Sequence, residues 1–186
     1  MRRALALVLC LALLAPAAFA AELAGVSLPD TVTVEGQTLK LQGLGLRKKF
    51  FFKVYVGALY LATPTSDGNQ AARADEPKRI VMHFLRDVGA DKLKEAFEDG
   101  FFKAAQERLD ALRPRIDRFL SLFPEEVEEG QAVSLTYLPG KGTQVEIGGE
   151  IKGTIEGRDF MEALWLIWLG DVPADADLKK GMLGLK

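Results

Sequence analysis

The sequence has almost no cysteine and almost no histidine: Cys10 and His83 are each the single example in 186 residues. One thiol closes no internal disulfide, so stability has to come from a buried apolar core. A single imidazole supports no multi-histidine metal site, and no Ser-His-Asp or Cys-His arrangement is recognisable. Basic charge is scarce too. Lys and Arg number 24 against 26 Asp and Glu, a net charge of −2. That leaves no excess to neutralise a phosphate backbone, which sets nucleic acid aside as a partner. Repeats and low-complexity tracts are missing. So are long apolar runs, except Ala4 to Leu14, which is too short to cross a bilayer.

That one run follows Arg2 and Arg3 and precedes Ala18-Phe19-Ala20. Basic start, apolar middle and small-x-small end are the order of a secretory signal peptide. The expectation is a leader over residues 1–20, cleaved after Ala20, and one mature domain over 21–186. The mature protein is then periplasmic or secreted, with no membrane-crossing segment. Cleavage removes Cys10, Arg2 and Arg3, which moves the net charge from −2 to −4. With 48% hydrophobic and 27% charged residues, the chain has the composition of an ordinary globular domain.

Thr31-Val32-Thr33-Val34, Glu35-Gly36 and Thr38-Leu39-Lys40-Leu41 alternate on either side of a turn and predict a hairpin. Phe50 to Leu61 (FFFKVYVGALYL) predicts a central strand buried on both faces. Thr63 to Pro77 reads as a loop and Arg79 to Leu85 as another strand. From Asp91, a plausible N-cap, the period changes. Leu93, Phe97, Phe101, Ala104, Ala105 and Leu112 recur at three- and four-residue steps, one stripe on a helix of about five turns. Pro114 is expected to interrupt it, with Ile116, Phe119, Leu120 and Phe123 on a second, shorter helix. Val133–Leu138 and Thr143–Ile147 flank Pro139-Gly140-Lys141-Gly142 as a second hairpin, which Ile151 to Ile155 could extend. Arg158 to Leu169 is the last helix. This order lacks β-α-β alternation and predicts an α+β fold, an antiparallel sheet with helices gathered on one face.

The standard chemistries find little. Gly43-Leu44-Gly45 lacks the third glycine and helix of a dinucleotide loop and reads as a bulge or turn. Gly148-Gly149 reads as a turn. Glu125, Glu126, Glu128 and Glu129 read as solvated charge rather than a calcium site. His83 reads as a core or edge histidine; its sharper alternative, a haem ligand, needs a large apolar pocket beside it. Phe97, Phe101, Phe119 and Phe123 read first as core, although a cavity lined by them would suit a flat or chain-like apolar ligand. No metal and no cofactor is implied.

The segment Gly43-Leu44-Gly45-Leu46-Arg47-Lys48-Lys49-Phe50-Phe51-Phe52-Lys53-Val54-Tyr55-Val56-Gly57-Ala58-Leu59-Tyr60-Leu61 resembles the signature strand of the chalcone-isomerase-like superfamily, nearest its exported bacterial members. Its specific features are the Gly-x-x-Arg lead, Lys-Val-Tyr, a small-residue pair and Leu-Tyr-Leu. Fainter likeness runs through Leu85-Arg86-Asp87-Val88, the helix from Asp91, the hairpin at Pro139-Gly140 and Leu166 to Leu178. The resemblance implies an open-faced β-sandwich, a curved antiparallel sheet covered by helices. The superfamily holds enzymes that cyclise chalcones, fatty-acid-binding proteins, and members without known catalysis. Arg47 matches the arginine that stabilises the phenolate in the enzymes. Tyr55 stands where they carry a threonine, as in the fatty-acid-binding branch, whose arginine and tyrosine hold a carboxylate. The enzymes' helix tyrosine, the asparagine after it and their late threonine correspond to Lys92, Asp99 and Ile167. Those departures argue against chalcone isomerisation. The implied ligand-binding set is Arg47, Tyr55, Lys92 and Asp99, with no catalytic residue.

The expectation is therefore an exported, non-catalytic protein that binds an amphipathic anionic molecule such as a fatty acid. Alternatives are an isomerase or lyase acting by oxyanion stabilisation, a structural or partner-binding protein of the cell envelope, or a haem binder. An arginine fork can pair both oxygens of a carboxylate, and a phenol adds a donor. On a straight strand Arg47 and Tyr55 would stand about 26 Å apart, so they meet only if the chain turns back near Lys48 to Phe51.

Overall fold

A computed structural model describes residues 20–185. The expected leader lies outside the described residues, apart from Ala20. Strands β1 (Ala20–Leu23) and β2 (Val26–Pro29) form a small hairpin that the sequence pattern does not announce. Then come β3 (Thr31–Val34), β4 (Gln37–Lys49), β5 (Phe52–Leu61), α1 (Gly68–Arg73) and β6 (Lys78–Phe84). A two-residue β7 (Val88–Gly89) leads into α2 (Ala90–Ala105), and a 3-10 turn over Gln106–Arg108 into α3 (Leu109–Leu120). After β8 (Glu126–Val127), strands β9 (Ala132–Leu138), β10 (Gly142–Ile147) and β11 (Glu150–Ile155) precede α4 (Arg158–Leu169) and α5 (Ala176–Met182).

Seven strands form one antiparallel sheet in the order β11-β10-β9-β6-β5-β4-β3, with β7 and β8 pairing apart from it. Alternation along β5 and β6 divides the core. Tyr55, Leu59, Leu61, Ile80, Met82 and Phe84 turn toward the helices, while Ala58, Tyr60 and Val81 join Val34 and Leu39 in a smaller outer cluster. The α+β arrangement predicted from element order is the one observed. Helix α4 explains its own position: from Phe160 to Leu169 every residue but Glu162 is buried. A helix apolar all round belongs inside the fold, and α4 packs against α1, α2 and the sheet. Its approach to α2 is so close that a Cβ on Gly100 would stand 2.8 Å from Ile167.

Four local expectations are corrected. Phe50 and Phe51 are the tip of a turn, not the start of a strand, and are 85% and 83% exposed. The Thr63–Pro77 loop contains α1, whose first turn is fixed by the Asp67 carboxylate accepting the Gln70 N–H at 3.0 Å. Gly89, not Asp91, is the N-cap of α2. The break between the two helices falls at Gln106, where φ is +41°, and Pro114 lies inside α3. There the burial of Leu112, Ile116, Phe119 and Leu120 outweighs one missing backbone hydrogen bond.

Candidate functional site

The turn at Phe50–Phe51 settles whether Arg47 and Tyr55 can meet. Strands β4 and β5 run antiparallel with Lys49 opposite Phe52, Lys48 opposite Lys53 and, across a bulge, Arg47 opposite Tyr55. Directly opposed residues share a sheet face, with Cα atoms about 5 Å apart. The same face carries the next two pairs, Gly45 with Gly57 and Gly43 with Leu59. A second bulge falls at Gln42, just before Gly43-Leu44-Gly45, which itself lies in regular register in β4 where a bulge or turn was expected.

Adjacent glycines leave a slot, and α5 lies in it. Buried Leu178 and Met182 cover Gly57; a Cβ there would stand 3.0 Å from the Leu178 side chain and 3.2 Å from the Met182 sulfur. A Cβ on Gly45 would overlap the Leu178 carbonyl, and one on Gly43 the Gly181 carbonyl. Backbone touches backbone only because these positions lack side chains. Gln42 adds a tie, its Nε2 donating to the Leu183 carbonyl at 3.0 Å.

Above the slot the guanidinium already holds an acid. Arg47 Nη1 donates to Asp175 Oδ2 at 3.1 Å and to the Lys48 carbonyl at 3.1 Å. Asp175 is also the N-cap of α5, accepting the Leu178 N–H at 2.9 Å. Burial pushes the Asp175 carboxyl up. The Leu178 and Lys48 N–H groups and the Arg47 guanidinium outweigh it, and the net direction is down. Arg47 Nε and Nη2 have no hydrogen-bond partner among the described residues, and the side chain is 21% exposed. Tyr55 is buried, and its oxygen accepts the indole N–H of Trp168 at 2.9 Å. Burial pushes the phenol up to about 12, against the opposing pulls of Trp168 and Arg47. It therefore stays protonated, with its own O–H proton uncommitted among the described residues. The arrangement offers donors to a carboxylate.

Lys92 and Asp99 do not join this pair. Helix α2 turns Leu93, Phe97, Gly100 and Phe101 inward, and the 3.6-residue period puts Lys92 and Asp99 on its exposed side. The phenylalanines are core, as first read, and line no chamber among the described residues. Phe97, Phe101, Phe119 and Phe123 pack with one another and with Trp168 and Phe160 at centroid distances of 4.9–6.0 Å, a filled aromatic core. His83 shares the outer face with Val81, on the side of the sheet away from that core. Asp175 lines an open groove of about 430 Å³ together with Leu44, Leu46, Lys48, Phe50 and Gly181, among others.

Two partners in the site, Trp168 and Asp175, escaped the sequence reading. Asp175 had a local signal: after Pro173 it stands three residues before Leu178, the spacing of an N-cap. A further missed residue is Lys78. Fully buried, its ammonium donates to the carbonyls of Ala71, Ala72 and Ala74 at 2.7–2.9 Å and so ends α1. Burial pulls it down to about 7.

The family model described as chalcone isomerase-like matches residues 20–184. Among solved structures, the crystal structure of an Arabidopsis thaliana fatty-acid binding protein, AtFAP1, is similar at a TM-score of 0.68 and 19% identity. The match covers 86% of this chain and 92% of that one. None of the curated proteins matches the sequence significantly.

Proposed function

The chain belongs to the chalcone isomerase-like family, and from that premise we propose that it is an exported, non-catalytic binding protein for an amphipathic anionic small molecule, a fatty acid being the simplest case. The observation that carries this reading is the direct opposition of Arg47 and Tyr55 on the helix-side face, with a carboxylate, that of Asp175, already on the guanidinium. In this reading the chain's own acid stands where a ligand head group would bind. Likeness in fold to a protein titled fatty-acid binding is in keeping with it. The leader-like sequence of residues 1–20 supports export.

The site favours holding over turnover. Tyr55 near 12 is a donor rather than a base, and Asp175 is held below its ordinary value, a poor general base at neutral pH. For a ligand tail the natural space is the slot above Gly45 and Gly57, so α5 acts as a cover that a ligand displaces. Leu178, Met182 and Leu183 together contribute about 6 kcal/mol of burial to that cover. The partly buried ion pair adds ~1 kcal/mol or less. An entering tail gains ~0.8 kcal/mol per methylene, so about eight to ten methylenes are needed to displace α5.

The test is native mass spectrometry of delipidated protein offered long-chain fatty acids and the matching alcohols. Retention of the acids at one per chain, with the alcohols lost, is the expected result. Equal retention, or none, contradicts the reading.

A further inference from the structure

The turn that brings Arg47 to Tyr55 carries a feature that its fold does not require. Its apex is three consecutive phenylalanines, Phe50, Phe51 and Phe52, exposed to 85%, 83% and 47%. An apex residue at a φ of +55° is ordinarily glycine or asparagine, and here it is Phe50. Neither local backbone preference nor core packing accounts for an aromatic at that place. Its flanking residues in the chain are basic: residues 47–53 read Arg-Lys-Lys-Phe-Phe-Phe-Lys. Of these cations only Arg47 has an acidic partner; the ammonium groups of Lys48, Lys49 and Lys53 form no salt bridge among the described residues. Arg86 joins them from the loop after β6, its guanidinium 4.7 Å from the Phe52 ring centroid. The nearby acids do not cancel this collar. Asp175 is offset by Arg47, and Asp87 and Asp177 are two negative charges against the four of Lys48, Lys49, Lys53 and Arg86.

We propose that the β4–β5 tip is a docking site for an anionic lipid surface. A narrow apex of aromatic rings enters the acyl boundary, while the lysines and Arg86 meet head-group phosphates, their apolar stems lying along the interface. Charge complementarity favours this occupant: net charge over the whole chain is −2, so a basic collar around an apolar tip is a local departure that matches a negative membrane. A flat protein partner would meet only a point. Insertion is peripheral, since no helix among the described residues is long and apolar enough to cross a bilayer. The inference stands on the tip alone and does not depend on the binding reading above.

A tryptophan placed at the apex, Phe51→Trp in the full chain, reports on the tip itself and not on the apolar leader. Trp165 and Trp168 are 0% and 2% exposed and stay out of reach of a membrane quencher. With vesicles of mixed phosphatidylcholine and phosphatidylglycerol carrying brominated acyl chains, the new emission is expected to be quenched, and high salt is expected to weaken that quenching. Adding Lys48→Gln and Lys49→Gln is expected to weaken binding about 30-fold, the equivalent of two surface charges. Unquenched emission overturns the proposal, as does quenching that is equal with phosphatidylcholine alone. A tip-dependent dimer without vesicle binding would overturn it too, by assigning the surface to protein. Should the lysine variants fail to fold, the salt titration of Phe51→Trp decides alone.

Discussion

Tyr55 is a phenol whose two hydrogen-bonding roles are split: the oxygen is spent on Trp168, and the proton is left for something else. Its burial has a measurable consequence shared with the other tyrosines. All three, Tyr55, Tyr60 and Tyr137, are pushed up to about 12, chiefly by burial. A group raised in the folded state stabilises the fold fully below its unfolded value, near 10, and loses that contribution as pH rises through about 12. Ultraviolet titration is therefore expected to show no phenolate at pH 10 in the native protein, with ionisation near 12 or together with unfolding. Phenolate at pH 10 in a protein still folded contradicts the burial of these rings. At this scale the sequence was readable only in part. Arg47 and Tyr55 stood out because they lie in one recognisable segment. Trp168 lies 113 residues from Tyr55 and Asp175 128 from Arg47, and nothing local links such partners. Lys92 and Asp99 were carried by position in a motif, and a helical half-turn points them to solvent.

Elements were legible where their punctuation is local. Gly36 in one turn, and Gly140 and Gly142 in the other, marked hairpins as residues that accept positive φ, and α4 was found at its observed limits because its apolar content is continuous. The Phe50–Phe51 turn contains no glycine, proline or asparagine, so an apolar run hid it. Helix α5, at seven residues, is too short for periodicity to show. Its docking rests on glycine. Gly45→Val drives a side chain into the Leu178 carbonyl, and overpacking of this kind costs about 1–3 kcal/mol. Limited trypsin digestion is expected to cut at Lys179 or Lys180 sooner in the variant than in the wild type, while the sheet stays intact. Unchanged cleavage would mean that α5 does not depend on this contact.

For the whole molecule, the α+β order was legible because strand and helix periods alternate in blocks, whereas the closed state of the slot was not. Whether a cavity exists depends on how the last helix seats on the fourth strand, a long-range outcome. On the proposed reading, in which a ligand tail displaces α5 from the slot, binding discriminates by ligand length. Octanoate, with six methylenes, falls short of the threshold of about eight to ten, and palmitate, with fourteen, exceeds it. Thermal melts are expected to rise with palmitate and to stay flat with octanoate. Equal shifts for both would point to a surface site in place of the slot.

The central claim is that a ligand carboxylate takes the place of Asp175 on Arg47. Calorimetric titration of palmitate into Asp175→Asn compares the two acids directly, since asparagine keeps the N-cap of α5 while giving up the charge. The account predicts binding up to about fivefold tighter than in the wild type, as Arg47 no longer has to be released from an internal partner. Affinity unchanged or weaker in Asp175→Asn would contradict it.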